Sequence, residues 1–154
     1  MTEKIIFLDM DGVLNGDEDF IPPGFTEQVS THPIGIKKIH LLREILEKTG
    51  AKIVISSTWR HGWSIEQFEA VFSVFSWGFD RKIIGKTPSK VSATRGQEIG
   101  MWIRDNNFTG NFIILDDDSD MAPYIDHLVQ TNEEIGLTAE DAQKAIDMLN
   151  KERW

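Results

Sequence analysis

The chain has 154 residues, of which 40% are hydrophobic and 27% charged; this composition is typical of one globular domain and excludes a disordered chain. Because there is no cysteine, disulfides, zinc–thiolate sites and thiol catalysis are excluded. The formal net charge of −9 disfavours a protein that binds nucleic acids through bulk electrostatics. The apolar run near the N-terminus is too short for a signal peptide, and no run reaches bilayer length, so we expect a cytoplasmic protein without a membrane partner.

The first predicted element is a strand over residues 4–9, an apolar run without alternation that is typical of a strand buried on both faces. It ends at Asp9, and Asp11 and Gly12 follow closely. Carboxylates at the end of a buried strand are costly to desolvate unless they meet a metal, a proton or a partner. We therefore interpret this stretch as the candidate catalytic centre.

A long loop is predicted over residues 15–35, because glycines and prolines recur there and the apolar residues show no period. Loops of this length inside compact domains are usually functional, so we interpret residues 16–35 as a flap or lid with residues 17–19 at its exposed tip. Apolar residues at helical spacing then predict a helix over residues 36–48, which Gly50 ends.

Strands and helices alternate through the rest of the chain. The predicted elements are strand Lys52–Ile55, helix 64–75 with a Ser64–Gln67 capping box, a short edge strand at 81–85, helix 96–106, strand 111–115, a fourth core strand at 127–131 and a closing helix at 138–150 capped by Thr138. This order predicts an α/β fold: one doubly wound, mainly parallel sheet with helices on both faces. We expect a single domain over residues 1–154 without a large cap domain.

Three of the predicted strands end in polar clusters. These are Asp9 with Asp11, Ser56 with Ser57, and Asp116 with Asp117. Because the carboxyl ends of parallel strands meet at one edge of a sheet, the clusters are expected to converge. Carboxylates that converge need a cation, and ligands that are all oxygen atoms suit Mg²⁺. Such a site handles phosphate: one aspartate can attack phosphorus, and the aspartate two residues later can move protons.

The residues at these strand ends resemble the haloacid dehalogenase-like (HAD) superfamily. Residues 9–15, Asp-Met-Asp-Gly-Val-Leu-Asn, look like its motif I; residues 53–56 resemble motif II, and residues 113–117 resemble motif IV. Motif III is a basic residue near the start of the helix before the last of these strands. Arg95 fits that position, where the superfamily usually has lysine, and Lys90 is the other candidate.

Longer stretches are similar to the HAD phosphatase domain of Swiss Army Knife RNA repair proteins. They are residues 51–60, 95–99, 115–121, 128–131 and 136–138, so the resemblance covers nearly the whole chain. It implies a HAD-like Rossmannoid fold, Mg²⁺ as cofactor and a phosphorylated substrate. RNA repair is the weaker implication, because that family is named for the multidomain proteins that contain it.

The resemblance also implies a role for each site residue. Asp9 is the nucleophile and a metal ligand, and Asp11 is the acid and base whose backbone carbonyl touches the metal. Ser56 binds the phosphoryl oxygens with the backbone N–H groups of Met10 and Ser57. Arg95 stabilises the phosphoryl charge, Asp116 is a direct metal ligand, and Asp117 is a direct or water-mediated one.

Several residues outside these motifs have two interpretations. Arg60 is either a substrate contact or a surface residue, and Lys90 is a further candidate for substrate binding. The basic residues between Arg81 and Arg95 either permit binding of a nucleic-acid polymer or are a solvated face. The tryptophans at 59, 63 and 77 are interpreted as packing residues rather than base-stacking platforms, and Trp154 could serve an interface or the core.

Two classes of function remain. The first is a Mg²⁺-dependent phosphomonoester hydrolase with an aspartyl-phosphate intermediate, acting on nucleic-acid 3′-phosphate ends or on a small nucleotide or sugar phosphate. The second is a non-catalytic module that binds phosphate or metal. Both Asp9 and Asp11 are present, which favours the hydrolase.

Overall fold

The structure is a computed structural model that describes residues 3–151; Trp154 lies outside this range. Five parallel strands form its centre: β1 Lys4–Leu8, β2 Lys52–Ile55, β3 Ile83–Lys86, β4 Asn111–Asp116 and β5 Leu128–Gln130. Their order across the sheet is β3-β2-β1-β4-β5. The helices are α1 Asp17–Phe20, α2 Ile36–Thr49, α3 Ile65–Phe75, α4 Arg95–Asp105 and α5 Ala139–Leu149, with 3₁₀ turns at Thr58–His61 and Ile125–His127. The predicted α/β fold with one parallel sheet is confirmed.

Helices cover both faces of the sheet. On β1, Ile6 and Leu8 point into a core shared with α2, α3 and α5, whereas Ile5 and Phe7 point into a smaller core against α4. This alternation explains why β1 is a continuous apolar run: neither face of the central strand meets water.

Local sequence sets the helix ends. Ser64, Thr94 and Thr138 each cap a helix, and each accepts a hydrogen bond from the backbone N–H three residues later. Gly50 ends α2 in the left-handed conformation at φ +73°, which glycine adopts without strain. The caps predicted at residues 64 and 138 and the stop at residue 50 are therefore confirmed.

Four local features differ from the predictions. Residues 127–131 do not form a core strand: β5 has three residues and lies at the sheet edge. β3 is the predicted edge strand, shifted to Ile83–Lys86. The flap contains α1, whose three acidic residues favour a helix N-terminus, and a 3₁₀ turn follows β2. Such short elements carry too little apolar periodicity for a sequence pattern to reveal them.

No helix within residues 3–151 is long and apolar enough to span a bilayer.

Candidate active site

The register of the sheet places the three polar clusters side by side. The backbone N–H of Asp9 donates to the carbonyl of Leu115 on one side, and that of Ser56 donates to the carbonyl of Leu8 on the other. Strand β1 lies where the chain reverses its direction across the sheet, between β2 and β4. In open α/β sheets this switch point is where ligands bind.

The centre of the site is a set of three carboxylates. Asp9, Asp116 and Asp117 each offer an oxygen, and these atoms lie within 4.8 Å of one another. Asp9 is 5% exposed and Asp116 is fully buried. Burial and the charge of Asp116 raise the pKa of Asp9 to about 8, although Arg95 opposes the shift. Burial also raises the pKa of Asp116.

These shifts mean that Asp9 and Asp116 are costly to hold ionised together without a cation. A buried cluster of oxygen donors, without nitrogen or sulfur, fits Mg²⁺. Asp9, Asp116 and Asp117 could therefore hold that ion through their side chains.

Arg95 is the cation nearest to this cluster. Its Nη1 lies 3.1 Å from Oδ1 of Asp9 and 2.8 Å from Oδ2 of Asp116. Burial lowers the pKa of Arg95, but the charges of Asp9 and Asp116 raise it by a larger amount. The pKa of Arg95 is therefore raised overall, and the guanidinium stays charged. Lys90, the alternative, has an exposed side chain and forms no ion pair with these aspartates within residues 3–151.

The other carboxylate of the pair, Asp11, is held by neutral donors. Its Oδ2 accepts a hydrogen bond of 3.0 Å from the indole N–H of Trp59, and its Oδ1 accepts one of 3.0 Å from the amide of Asn15. Asp11 is exposed, whereas Trp59 and Asn15 are buried. Two rigid donors therefore hold a solvent-facing carboxylate beside the buried Asp9, which suits the transfer of protons.

Donors for an anion lie at the end of β2. The Ser56 hydroxyl is buried and has no hydrogen-bond partner among the described residues. Ser57 begins the 3₁₀ turn and its hydroxyl accepts the N–H of Trp59. Within residues 3–151 no hydrogen bond uses the backbone N–H of Met10 or Ser57. Buried donors without partners are uncommon, and a phosphoryl group would satisfy them.

Arg60 is buried and bonded to backbone carbonyls and to Glu98. Its guanidinium donates five hydrogen bonds, four to the carbonyls of Ser56, Ser57, Thr87 and Pro88 and one to Glu98. An arginine has five N–H donors, so none remains for a substrate. The structure therefore leaves Arg60 no free donor for the substrate contact that we predicted.

The loop after Asp9 is shaped by a glycine. Gly12 has φ +78°, and a Cβ there would lie 2.5 Å from Oδ2 of Asp117. Its backbone N–H donates to the Asn15 side chain, and its carbonyl accepts the buried hydroxyl of Thr131. The absence of a side chain at residue 12 is what lets Asp117 reach the cluster.

The flap lies beside the site and is tied down at its base. Lys38, 4% exposed, reaches from α2 to Asp19 at 2.8 Å and to Glu18 at 3.2 Å. Asp19 also accepts the backbone N–H of Gly16. Asp17 and Glu18 are exposed, as we predicted, but they belong to α1 at the start of the flap and not to its tip. Farther along the flap, the ring of His32 packs edge-on against Trp59 at 4.8 Å.

The wall between the flap and the site is acidic. A cavity of about 320 Å³ lies there, and five of its lining side chains are carboxylates: Asp11, Asp17, Asp117, Glu133 and Glu134. Among the basic residues at 81–95, Lys82 and Lys86 do not offset this acidic charge. Lys82 lies at the start of β3, opposite the site, and the ammonium of Lys86 donates to the carbonyls of Arg60 and Trp63.

Four residues that support the site were not predicted from the sequence. They are Asn15, Trp59, Glu98 and Thr131. All four lie within the quoted stretches, and this is the only sequence signal for them: Asn15 follows Asp11 by four residues, and Glu98 follows Arg95 by three. The contact between Trp59 and Asp11 spans 48 positions and depends on the path of the 3₁₀ turn.

Comparison with known proteins agrees with this geometry. Neither curated proteins nor solved structures gave a match. A family match covers residues 5–142, which include all the site residues described above. The matched range contains the three strand ends and the basic helix start that the sequence motifs singled out. The chain belongs to the family described as the HAD domain in Swiss Army Knife RNA repair proteins.

Proposed function

We propose that the protein is a Mg²⁺-dependent phosphomonoester hydrolase that works through an aspartyl-phosphate on Asp9. The observation that carries this proposal is the convergence of Asp9, Asp116 and Asp117 within 4.8 Å, next to Arg95. Asp9, Asp116 and Asp117 would hold Mg²⁺, which when bound would offset charge on the carboxylates and on the phosphoryl group.

In the first step a carboxylate oxygen of Asp9 attacks phosphorus, and the bond from phosphorus to the leaving oxygen breaks. Asp11 gives its proton to that oxygen, so the alcohol leaves neutral. Arg95, the Ser56 hydroxyl and the backbone N–H groups of Met10 and Ser57 donate to the phosphoryl oxygens, whose charge must be stabilised during transfer.

In the second step water attacks the phosphorus of the aspartyl-phosphate. Asp11, now ionised, takes a proton from this water, and the bond from phosphorus to the Asp9 oxygen breaks. Inorganic phosphate leaves, and both carboxylates return to their starting states. The indole of Trp59 and the amide of Asn15 hold Asp11 through both proton transfers.

The first test measures turnover of a panel of phosphomonoesters with Mg²⁺. We expect activity in the wild type, loss on chelation, and background rates in Asp9→Asn with an unchanged fold by circular dichroism. Asp105→Asn, an exposed substitution on α4, serves as the matched control. Borohydride reduction during turnover should convert residue 9 to homoserine, which mass spectrometry detects. Wild-type inactivity on the whole panel would favour the non-catalytic module.

Two substrate classes each have one observation in their favour. The family match to a domain of RNA repair proteins favours a nucleic-acid 3′-phosphate end. The acidic cavity beside Asp11 favours a small phosphomonoester, because a polyanionic leaving group would be repelled there.

A comparison of one 3′-phosphorylated oligonucleotide with its 3′-mononucleotide separates these classes. We expect the mononucleotide to have the higher kcat/KM at low salt, with the ratio approaching one as salt screens the carboxylates. A higher kcat/KM for the oligonucleotide would instead support the polymer end as the substrate.

A further inference from the structure

Arg60 and Glu98 form a buried ion pair behind the catalytic residues. Nη2 of Arg60 lies 3.1 Å from Oε1 of Glu98, and the two side chains are 5% and 11% exposed. Taking two charges out of water costs several kcal/mol per ion, and a pair of this kind is weak evidence for stability alone. A contribution to stability therefore does not explain why this ion pair is buried next to the site.

The arginine joins the ends of two strands. Its Nη1 donates to the carbonyls of Ser56 at 3.0 Å and Ser57 at 2.8 Å, just after β2. Its Nε donates to the carbonyl of Thr87 at 3.0 Å, just after β3. The peptide that contains the Ser56 carbonyl also contains the N–H of Ser57, one of the free donors of the site.

The glutamate joins these strand ends to α4. Glu98 lies one turn after Arg95 on that helix, and its Oε2 accepts the backbone N–H of Lys90 at 3.0 Å. A shift of Glu98 would therefore move the helix turn that presents the Arg95 guanidinium to Asp9. On its other side, α4 packs closely on the loop after β4 at Gly96, where a Cβ would lie 2.5 Å from the carbonyl of Ala122.

We propose that Arg60 and Glu98 are a positioning pair that fixes the Ser56–Ser57 donors relative to Arg95, and so sets the geometry in which the transferring phosphoryl group is held. This inference rests on the proposed function. Neither side chain touches the substrate; both act through residues that do. Positioning matters because small displacements of catalytic groups cost large factors in rate.

The electrostatics around Arg60 agree with this role. Burial lowers the pKa of Arg60, and Glu98 opposes that shift, so the partner carboxylate keeps the guanidinium charged. Arg95 and Asp9 also act on it through space. Lysine could supply the same charge but not five directed donors, because its ammonium has three donors at one point.

The test uses the full chain and the phosphomonoester that the wild type hydrolyses best. Arg60→Lys should lower kcat by roughly tenfold or more, with a smaller change in KM and a parallel loss of affinity for vanadate, which mimics the transferring phosphoryl group. Glu98→Gln should lower kcat by a smaller factor, because the amide oxygen can still accept from Arg60. Some loss is expected because the NH₂ group would face the N–H of Lys90 and could not accept from it. Arg104→Lys, exposed on α4, is the matched control.

Chemical rescue separates positioning from folding. Arg60→Ala should lose activity, and millimolar guanidinium should restore part of its kcat, while the same salt should not restore Asp9→Asn. If Arg60→Lys and Glu98→Gln keep wild-type kcat and vanadate affinity, the pair has no positioning role. If the variants lose only melting temperature and folded fraction, the pair is structural and the inference is wrong. If the wild type neither turns over nor binds vanadate with Mg²⁺, the proposed function fails, and the inference with it.

Discussion

The two carboxylates of the Asp9–Asp11 pair occupy opposite environments although one residue separates them. Asp9 is buried among carboxylates and faces Arg95, whereas Asp11 is exposed and faces the neutral donors of Trp59 and Asn15. A nucleophile that must stay close to a cation and an acid that must exchange protons with water need these different surroundings. The different roles that we propose for Asp9 and Asp11 therefore match their different burial.

Trp59 offers a test of the acid role. In Trp59→Phe the ring stays, but Asp11 loses a donor; a hydrogen bond to a charged group is worth about 1.5–3 kcal/mol, so we expect kcat on alkyl phosphates to fall roughly tenfold. Aryl phosphates with good leaving groups need little protonation, so their turnover should fall much less. Trp63→Phe, which packs on Trp59 at 5.2 Å, is the control. Equal losses on both substrate types would contradict the role of Trp59 in holding the acid.

At the scale of an element, the loop after β1 depends on Gly12. In Gly12→Ala the alanine would have to adopt the left-handed φ of +78°, and its Cβ would lie 2.5 Å from Oδ2 of Asp117. Gly50→Ala is matched in φ at +73° but has no neighbour within 4 Å of the added Cβ. We expect Gly50→Ala to cost about 1 kcal/mol of unfolding free energy and to keep full activity.

Gly12→Ala should cost more than Gly50→Ala and should also weaken Mg²⁺ binding, because Asp117 must move away. Chemical denaturation measures the first effect, and calorimetric titration with Mg²⁺ measures the second. Equal Mg²⁺ affinity in the two variants would show that Asp117 is not a ligand.

The flap gives a second prediction at this scale. Lys38→Met fills the same space but removes the cation that ties Asp19 and Glu18 to α2. We expect faster limited proteolysis within residues 16–35 and little change in the cleavage of α2 or α5. Lys37→Met, next to it but exposed, is the control. If both variants are cleaved at the wild-type rate, the flap is held by other contacts, such as the packing of His32 on Trp59.

The strand ends of this site were predictable from hydrophobicity alone, because an apolar run marks the strand and the first polar residue marks its end. An apolar run makes β1, β2 and β4, and the first polar residue after each run lies at the sheet edge where ligands bind. The roles of Trp59 and Arg60 were not predictable in this way. Their partners are fixed by a four-residue 3₁₀ turn and by side-chain directions, neither of which leaves a periodic pattern in the sequence.

At the scale of the whole molecule, cations can stabilise the protein in two ways. They can screen the net charge of −9 over long distances, and they can bind directly to the three clustered carboxylates. Salt screens the surface charge without a specific site, whereas Mg²⁺ bound at the cluster would relieve repulsion between its carboxylates. Only the second effect requires Asp116, so the two are separable.

We expect Mg²⁺ to raise the melting temperature beyond an equal ionic strength of NaCl. At a concentration 100-fold above its Kd, a ligand specific for the folded state adds about 2.7 kcal/mol, which for a domain of this size is roughly 5–10 °C. Asp116→Asn should abolish this excess and leave the NaCl effect intact, whereas Asp105→Asn should change neither. Because the readout is thermal and needs no substrate, it tests the metal site independently of the reaction. Equal shifts by Mg²⁺ and NaCl in the wild type would mean that the carboxylate cluster does not bind the ion, and Asp9 would then need another source of charge compensation to act as a nucleophile.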